Sequence, residues 1–233
     1  NFVNKTFDNC KKNGFNAVIV HVRPFADALY PSSYFPWSRY VSGKAGKHPG
    51  FDPLSYAVSA AHKRGLAFHA WINPYRIASN TTNVYKLPKK SIARKWAVSK
   101  KASKRRNVLK WDGKLYFNPA SKDVQNLVCN GVREIVRDYA VDGIHFDDYF
   151  YPTKDKSIDK EEYTKYKSNG GELSLLDWRR DNVNNMIKSV YSAVKTINKS
   201  VTFGISPASD MDYDYSTLYA DVIKWSRNEG YID

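Results

Sequence analysis

Two adjacent carboxylates, Asp147 and Asp148, follow the short apolar run 143–146, which reads Gly-Ile-His-Phe, and precede three aromatic residues and Pro152. Such a run suits a packed strand and proline cannot continue one, so the pattern predicts a buried strand that ends at the two acids. Ionised carboxylates are costly in that position, which makes them candidates for catalysis. The plainer interpretation is that either acid caps the next loop or pairs with a base.

Two carboxyl groups roughly 5 to 9.5 Å apart can hydrolyse a glycosidic bond, one as nucleophile or base and the other as the acid that protonates the leaving oxygen. Neighbouring residues of a strand face opposite ways, so Asp147 and Asp148 are not expected to be that pair. We predict that Asp147 is the nucleophile or base and that Asp148 supports it. The partner acid stays open among Glu172, Asp210, Asp212, Asp233 and residues outside this sequence.

The elements that would position these acids repeat as helix, short turn, strand and long loop. Complete strands are predicted at 17–22, 66–72, just before Asp147, and at 201–206, and 231–233 resembles the start of another. Parallel strands with long loops at their carboxyl ends are typical of a (β/α) barrel or a doubly wound sheet. No GxGxxG follows the first complete strand and no GxxxxGK[ST] occurs, which favours the barrel. We predict an α/β fold, a TIM-type (β/α)8 barrel in one domain over 1–233, with its first and last strands outside this sequence.

Polar side chains recur on one predicted face of these strands. Because residues two apart share a face, four sets should converge inside a barrel: His21 with Arg23, His69 with Trp71 and Asn73, His145 with Asp147, and Gly204 with Ser206. Each has an ordinary structural alternative: a hydrogen-bonded core histidine, an Arg23 paired with one of the two acids, or a Trp71 that only packs. The convergence of the set is what points to a site.

The predicted loops are rich in aromatic residues, whose flat faces suit sugar rings, although about half are expected only to pack. They are Tyr30, Tyr34, Phe35, Trp37, Tyr40, Trp71, Tyr75, Tyr149, Tyr151 and Trp178. Arg23, Arg76 and the basic stretch 86–114 are candidates to meet carboxylates of an acidic glycan.

The formal net charge is +14, and the basic stretch holds twelve Lys or Arg residues and a single acid, Asp112. A cationic surface attracts polyanions, so an anionic cell-wall polymer is a candidate partner, against the alternative of a solvated face. We predict no nucleic-acid partner, no membrane-spanning segment and no cofactor. Cys10 and Cys129 belong to different predicted helices, so no disulfide is expected, and no Cys/His spacing indicates a zinc site.

Several segments carry a resemblance to a known family: FNAVIVHVRPFADALYPSSYFPWSRY, DPLSYAVSAAHKRGLAFHAWINPYRI, DYAVDGIHFDDYFYP, LLDWRRDNVN and FGISP. Together they resemble the glycosyl hydrolase-like 10 family of bacterial extracytoplasmic (β/α)8 proteins, whose characterised members include a division-associated glycosidase acting on peptide-free peptidoglycan. The resemblance implies an extracytoplasmic location, with or without a lipid anchor. It also implies that Asp147 and Asp148 hold the catalytic position and that the cleft is lined by His21, Arg23, Asp27, His69, Trp71, Asn73, Tyr75, Arg76, His145 and Tyr149; the neighbouring Tyr151 and Ser206 complete our predicted substrate-binding set.

The predicted function is therefore hydrolysis of a bacterial envelope glycan, with peptide-free peptidoglycan as the expected substrate. Two alternatives remain. The first is a metal-dependent hydrolase or deacetylase that uses His21, His69, His145, Asp147 and Asp148 as ligands. The second is a glycan-binding barrel without catalysis.

Overall fold

Two β-sheets organise the chain in the computed structural model, which describes residues 2–233. The strands are β1 (Ala17–Arg23), β2 (Ala67–Ile72), β3 (Arg76–Ala78), β4 (Val108–Trp111), β5 (Lys114–Phe117), β6 (Gly143–Phe146) and β7 (Thr202–Ile205). A parallel sheet has the order β1-β2-β6-β7, and a smaller antiparallel sheet has the order β3-β5-β4.

Helices connect the parallel strands. They are α1 (Phe2–Lys12), α2 (Arg39–Ser42), α3 (Pro53–His62), α4 (Ile92–Ala97), α5 (Ala102–Arg105), α6 (Lys122–Asp138), α7 (Lys160–Ser168), α8 (Leu175–Ile197), α9 (Met211–Tyr213) and α10 (Val222–Arg227), with a 3-10 turn at Val84–Lys86 and a π-helical turn at Asp214–Leu218. Local signals explain several of the boundaries. Asp52 accepts hydrogen bonds from the backbone N–H groups of Leu54 and Ser55, and Pro53 opens α3.

The core lies on the helix-facing side of the parallel sheet. Phe68, Ile144 and Phe203 are fully buried there, on three neighbouring strands. The apolar stripes of α6 and α8 belong to the same core, and these two helices contact each other. Burying a large apolar side chain contributes about 1.5–3 kcal/mol, so this side of the sheet is the main source of stability and the opposite side is left for polar residues.

The opposite face carries rows of paired residues. His21 pairs with Trp71, Trp71 with His145, and His145 with Gly204, so these four residues form one row across the sheet. Asn73, Asp147 and Ser206 follow at the carboxyl ends of their strands. The predicted parallel α/β arrangement and its order of helices and strands are confirmed.

Two parts of the chain differ from the prediction. Residues 231–233 form no strand, although the backbone N–H of Asp233 donates to the carbonyl of Phe203 at 3.1 Å. The stretch 86–114 is not a plain loop, because it contains α4, α5 and part of the antiparallel sheet. The hairpin between β4 and β5 turns at Asp112 and Gly113, which have φ of 44° and 68°. Asp-Gly is a strong hairpin signal, so the sequence did contain this information.

Within residues 2–233, no helix combines the length and the apolar character that crossing a lipid bilayer requires.

Candidate active site

Asp147 lies directly after β6 at the carboxyl end of the parallel sheet, and it is 8% exposed. Its Oδ2 accepts a hydrogen bond from Nε1 of Trp71 at 3.2 Å, and Nδ2 of Asn73 lies 3.0 Å from Oδ1 and 2.9 Å from Oδ2. Burial raises the pKa of the Asp147 carboxyl, whereas these donors and the positive charge of Arg76 lower it. The geometry therefore holds an oriented carboxylate whose proton affinity exceeds that of an exposed Asp.

Asn73 owes its position to the turn after β2. Its Oδ1 accepts from the backbone N–H groups of Tyr75 at 3.2 Å and Arg76 at 2.8 Å, which leaves its amide nitrogen facing Asp147. Asn73 is 1% exposed. One side chain therefore shapes the turn, starts β3 at Arg76 and orients the carboxylate.

His21 and Trp71 form a stacked pair next to this carboxylate. Their ring centroids are 4.0 Å apart and their planes differ by 6°. Burial and, to a smaller extent, the charge of the nearby Arg76 together lower the pKa of His21 to about 4, so His21 is neutral near pH 7. The Nε2 atom of His21 is buried without a hydrogen-bond partner among residues 2–233. His21 therefore supports the indole that holds Asp147, and it keeps one polar atom free.

His145 and Ser206 lie on the other side of Trp71. His145 Nε2 and Ser206 Oγ are 2.7 Å apart, and which of them donates depends on the imidazole tautomer. Burial lowers the pKa of His145, with a smaller contribution from His69. His69 pairs with Gly143, one row further from the carboxyl ends of the strands. Its ring covers Gly143 so closely that a Cβ atom on Gly143 would lie 2.5 Å from Nδ1 of His69. His69 therefore lies deeper along the strands than His145 and away from Asp147.

Arg76 and Tyr149 form the exposed edge of the site. The guanidinium of Arg76 lies 4.2 Å from the ring centroid of Tyr149 and 5.8 Å from that of Phe25. Tyr149 is 48% exposed. An aromatic face and a cation are therefore available to a ligand that approaches Asp147. We use "strand-end cluster" for His21, Trp71, Asn73, Arg76, His145, Asp147, Tyr149 and Ser206.

Asp148 has a different environment from Asp147. It is half-buried, and its charge is one of the influences that raise the pKa of Asp214, after the larger effect of burial and together with Asp210. Asp214 is fully buried; its Oδ1 accepts from the backbone N–H of Ala208 at 3.2 Å, whereas Oδ2 has no hydrogen-bond partner within residues 2–233. Sequence reasoning missed Asp214, because no local pattern indicates that the π-helical turn brings it towards Asp148.

The acids considered as partners of Asp147 have other contacts. Asp210 caps α9 by accepting from the backbone N–H groups of Asp212 and Tyr213. Asp233 accepts from the backbone N–H of Phe203 and pairs with Lys195 at 2.7 Å, towards the amino end of β7. Glu172 and Asp212 are exposed. Within the described residues, none of these four is bonded to the strand-end cluster.

Arg23 does not share a face with His21, contrary to the prediction. The register shifts in this part of β1, where His21 pairs with Trp71 and Arg23 pairs with the next residue, Ile72. This bulge turns Arg23 towards the helices, where it is 1% exposed, its guanidinium lies 4.2 Å from the ring centroid of Phe35, and it borders Gly131 of α6. Its electrostatic neighbours are Tyr30, Glu134 and Asp27 rather than Asp147 or Asp148.

Tyr75 and Tyr151 also differ from the prediction, since both are 1% exposed. Tyr75 packs edge-on against Phe150, and Tyr151 packs edge-on against Tyr219 and accepts a hydrogen bond from Asn182 at 3.4 Å. They are core residues beneath the site. Tyr34 and Tyr40, by contrast, remain at the surface.

Asp27 lies outside the strand-end cluster, in a neighbouring cavity of about 340 Å³. Burial raises the pKa of Asp27, and a hydrogen bond from Ser38 lowers it. Its Oδ1 is buried without a hydrogen-bond partner in the part of the chain that the structure describes. Asp27 is therefore near the site but not in contact with Asp147.

The histidines and acids considered as metal ligands do not converge. Within residues 2–233, no group of three His, Cys, Asp or Glu side chains has an arrangement that could hold an ion. His21 is stacked on Trp71, and His145 bonds to Ser206.

The chain matches one protein family and is similar to proteins named glycosyl hydrolases over nearly its whole length. The model of the family described as glycosyl hydrolase-like 10 matches residues 3–233. The chain is 39% identical over 249 residues to glycosyl hydrolase YngK of Bacillus subtilis, covering 98% of this chain and 46% of that protein. It is 35% identical over 242 residues to glycosyl hydrolase DigH of Escherichia coli K12, covering 97% of this chain and 54% of that protein. The chain thus spans about half the length of these relatives.

Solved structures show the same fold at low sequence identity. The α-L-fucosidase isoenzyme 2 of Paenibacillus thiaminolyticus superposes with a TM-score of 0.59 and 16% identity, over 87% of this chain and 29% of that one. This similarity concerns the fold alone. It agrees with the predicted parallel, barrel-type arrangement of the strands.

Proposed function

The chain belongs to the glycosyl hydrolase-like 10 family, and on that premise we propose that it hydrolyses a glycan of the bacterial envelope with Asp147 as nucleophile or base. The observation that carries this proposal is the buried, oriented Asp147 carboxylate at the strand ends. Both oxygens face donors that fix the rotamer, so the carboxylate is positioned before a substrate arrives. Glycosidases use such a group to attack an anomeric carbon or to activate a water.

The surroundings of Asp147 suit a sugar. Tyr149 and Trp71 supply aromatic rings, and His145 and Ser206 supply groups that exchange hydrogen bonds with hydroxyls. Asp148 lies on the side of Asp214, whose carboxyl has a pKa raised by burial and by the charges of Asp148 and Asp210. We infer that Asp148 binds or orients rather than attacks, because its environment does not fix it as the environment of Asp147 does.

Peptide-free peptidoglycan is the proposed substrate, and the cell envelope outside the cytoplasmic membrane is the proposed location. Two observations support the substrate: the sequence resemblance and the formal charge of +14, which favours a polymer that carries carboxylates. Removal of the stem peptides leaves a free carboxylate on the glycan strand. Arg76 at the edge of the site is placed to meet such a group.

The test is product analysis by mass spectrometry after incubation of the protein and its Asp147→Asn variant with peptidoglycan stripped of stem peptides. We expect short oligosaccharides from the wild type and a loss of at least about a thousandfold in rate for the variant, because a positioned nucleophile or base supplies a large share of the acceleration. An unchanged circular dichroism spectrum and melting temperature would show that the variant folds. Full cleavage by a folded Asp147→Asn protein would overturn the assignment.

The alternatives give different results in the same assay. Binding of strands without any release of product would indicate a glycan-binding barrel. Activity that a chelator abolishes and zinc restores would indicate a metal-dependent hydrolase.

A further inference from the structure

Two adjoining cavities lie beside the strand-end cluster. The first, of about 340 Å³, is lined by Phe25, Asp27, Arg39, Tyr40 and Lys86, among others, and the second, of about 710 Å³, by Tyr34, Trp37, Lys89, Lys90 and Lys95. They share Pro36, Ala45 and Pro88 in their linings and therefore adjoin each other, and we call the two cavities together the side groove. Phe25 lines the first cavity, and the guanidinium of Arg76 lies over its ring. Because the charge of Arg76 also acts on Asp147, this end of the groove is next to the strand-end cluster.

The side groove concentrates unpaired positive charge. Arg39, Lys86, Lys89, Lys90 and Lys95 are all exposed, and within residues 2–233 none of them forms an ion pair. The acid that lines it, Asp27, interacts with Arg39 only at longer range. Five cations with one acid leave a net positive potential that an anionic ligand would neutralise.

Five other cations of the stretch 86–114 are already engaged. Lys104 pairs with Asp123 at 2.7 Å and Arg106 with Glu162 at 2.8 Å. Lys114 pairs with Asp112 at 2.7 Å. Arg94 donates to the backbone carbonyls of Tyr85 and Leu87, and Arg105 to those of Ser99 and Lys100. The fold therefore engages five cations of the basic stretch in structural contacts and leaves Lys86, Lys89, Lys90 and Lys95 free at the groove, while Lys100, Lys101 and Lys110 are exposed outside it.

The groove also has features that suit a sugar rather than a bare anion. Tyr40 is 59% exposed and stacks with Phe25 at a centroid distance of 6.4 Å, which provides a ring surface. A ring surface for the sugar and cations for its carboxylates together suit an acidic glycan.

We propose that the side groove binds a carboxylate-bearing segment of the glycan strand, next to the sugar held at Asp147. This inference rests on the proposed function for its substrate class, but it concerns a separate set of residues. The groove would bind acidic strands more tightly than neutral ones, because Lys86, Lys89 and Lys90 would bind the carboxylates. Each pair of a groove lysine with a glycan carboxylate would be exposed to solvent. Each would therefore add little binding free energy alone, and their combined effect should decline as salt is added.

The experiment measures binding without turnover, in the Asp147→Asn background, by isothermal titration. The ligands are peptide-free peptidoglycan strands and the same strands with their carboxyl groups amidated by carbodiimide coupling. We expect the native strands to bind about five- to tenfold more tightly at low salt, as two or three exposed charge pairs would provide. The Lys86→Gln/Lys89→Gln/Lys90→Gln variant should lose this preference. The control Lys5→Gln/Lys12→Gln/Lys188→Gln removes the same charge from exposed lysines outside the groove and should keep it.

Equal affinity for native and amidated strands, or an unchanged preference in the groove variant, would overturn the proposal. So would tighter binding of a DNA oligonucleotide than of native strands, since the groove would then serve a phosphate polymer. Cleavage by the wild type is scored separately. Groove-dependent binding without cleavage would leave the groove standing and remove the proposed hydrolysis, whereas cleavage with no groove dependence would do the reverse.

Discussion

The side-chain amide of Asn73 lies within 3.0 Å of both carboxylate oxygens of Asp147, across two neighbouring parallel strands. The same Asn73 accepts two backbone N–H groups through its Oδ1, so its amide can be oriented in only one way. The turn after β2 and the carboxylate after β6 are therefore a single unit. A substitution of either residue should therefore alter the orientation of the other.

Replacing Asn73 by Asp tests this unit. The new carboxylate still accepts the backbone N–H groups of Tyr75 and Arg76, but it removes the donor and places a like charge against Asp147, which raises the pKa of Asp147 further. Loss of a hydrogen bond to a charged group corresponds to about 1.5–3 kcal/mol, so we expect kcat/KM near pH 6 to fall by about 10- to 100-fold. Part of the activity should return at higher pH. Asn169→Asp, on an exposed helix end, is the control and should behave like the wild type.

The charge of Arg76 should set the acid limb of the pH–rate profile. Asp147 must be ionised to act, and its pKa is already raised by burial, so activity should increase with pH through a value above that of an exposed Asp. Arg76→Gln removes a charge that favours the ionised form, and the limb should move to higher pH by up to about one unit. Arg76→Lys should keep the limb near its wild-type position. A limb that stays in place in Arg76→Gln would show that Asp147 does not control it.

His21 should make the fold sensitive to acid. The pKa of His21 is about 4 in the folded protein and 6.5 when unperturbed. Between pH 4 and pH 6.5, the unfolded chain therefore binds a proton at His21 that the native state does not bind. The free energy of unfolding should therefore fall as pH is lowered from 6.5 towards 4. His145 acts in the same direction, and Asp147, with its raised pKa, acts in the opposite one.

Urea unfolding at several pH values checks the contribution of His21. His21→Phe retains a ring against Trp71 without a titrating group, so its stability should depend less on pH over this window than that of the wild type. His48→Phe replaces an exposed histidine that packs against Trp37 in a loop, and it serves as the control for the loss of one imidazole outside the site. Equal slopes for all three proteins would contradict the assignment.

The bulge that turns Arg23 inward predicts intolerance at Gly131. A Cβ atom there would lie 2.3 Å from Nη1 of Arg23 and 2.7 Å from Cε2 of Phe35. Because both neighbours are buried and cannot move freely, Gly131→Ala should destabilise the protein by about 1–3 kcal/mol in chemical denaturation. Gly204→Ala is the matched control, since its Cβ would meet only Nδ1 of His145 at 3.6 Å and should leave stability almost unchanged.

Local patterns in the sequence determined the alternation of helices and strands and the position of Asp147 at a strand end. The cap at Asp52 and Pro53 and the apolar runs of β1, β2 and β6 act through neighbours in the chain, so they can be recognised without the fold. The convergence of Trp71, Asn73 and Asp147 also followed, because strand parity and parallel order are general properties of such sheets.

Only the tertiary structure decided the direction of Arg23, the burial of Tyr75 and Tyr151, and the approach of Asp214 to Asp148. It also decided which cations of 86–114 are paired. A bulge depends on the partner strand, and the ion pair of Arg106 with Glu162 joins residues 56 positions apart in the chain. Periodicity carries no information about such contacts, because they form only when the sheet and its loops have brought distant segments together.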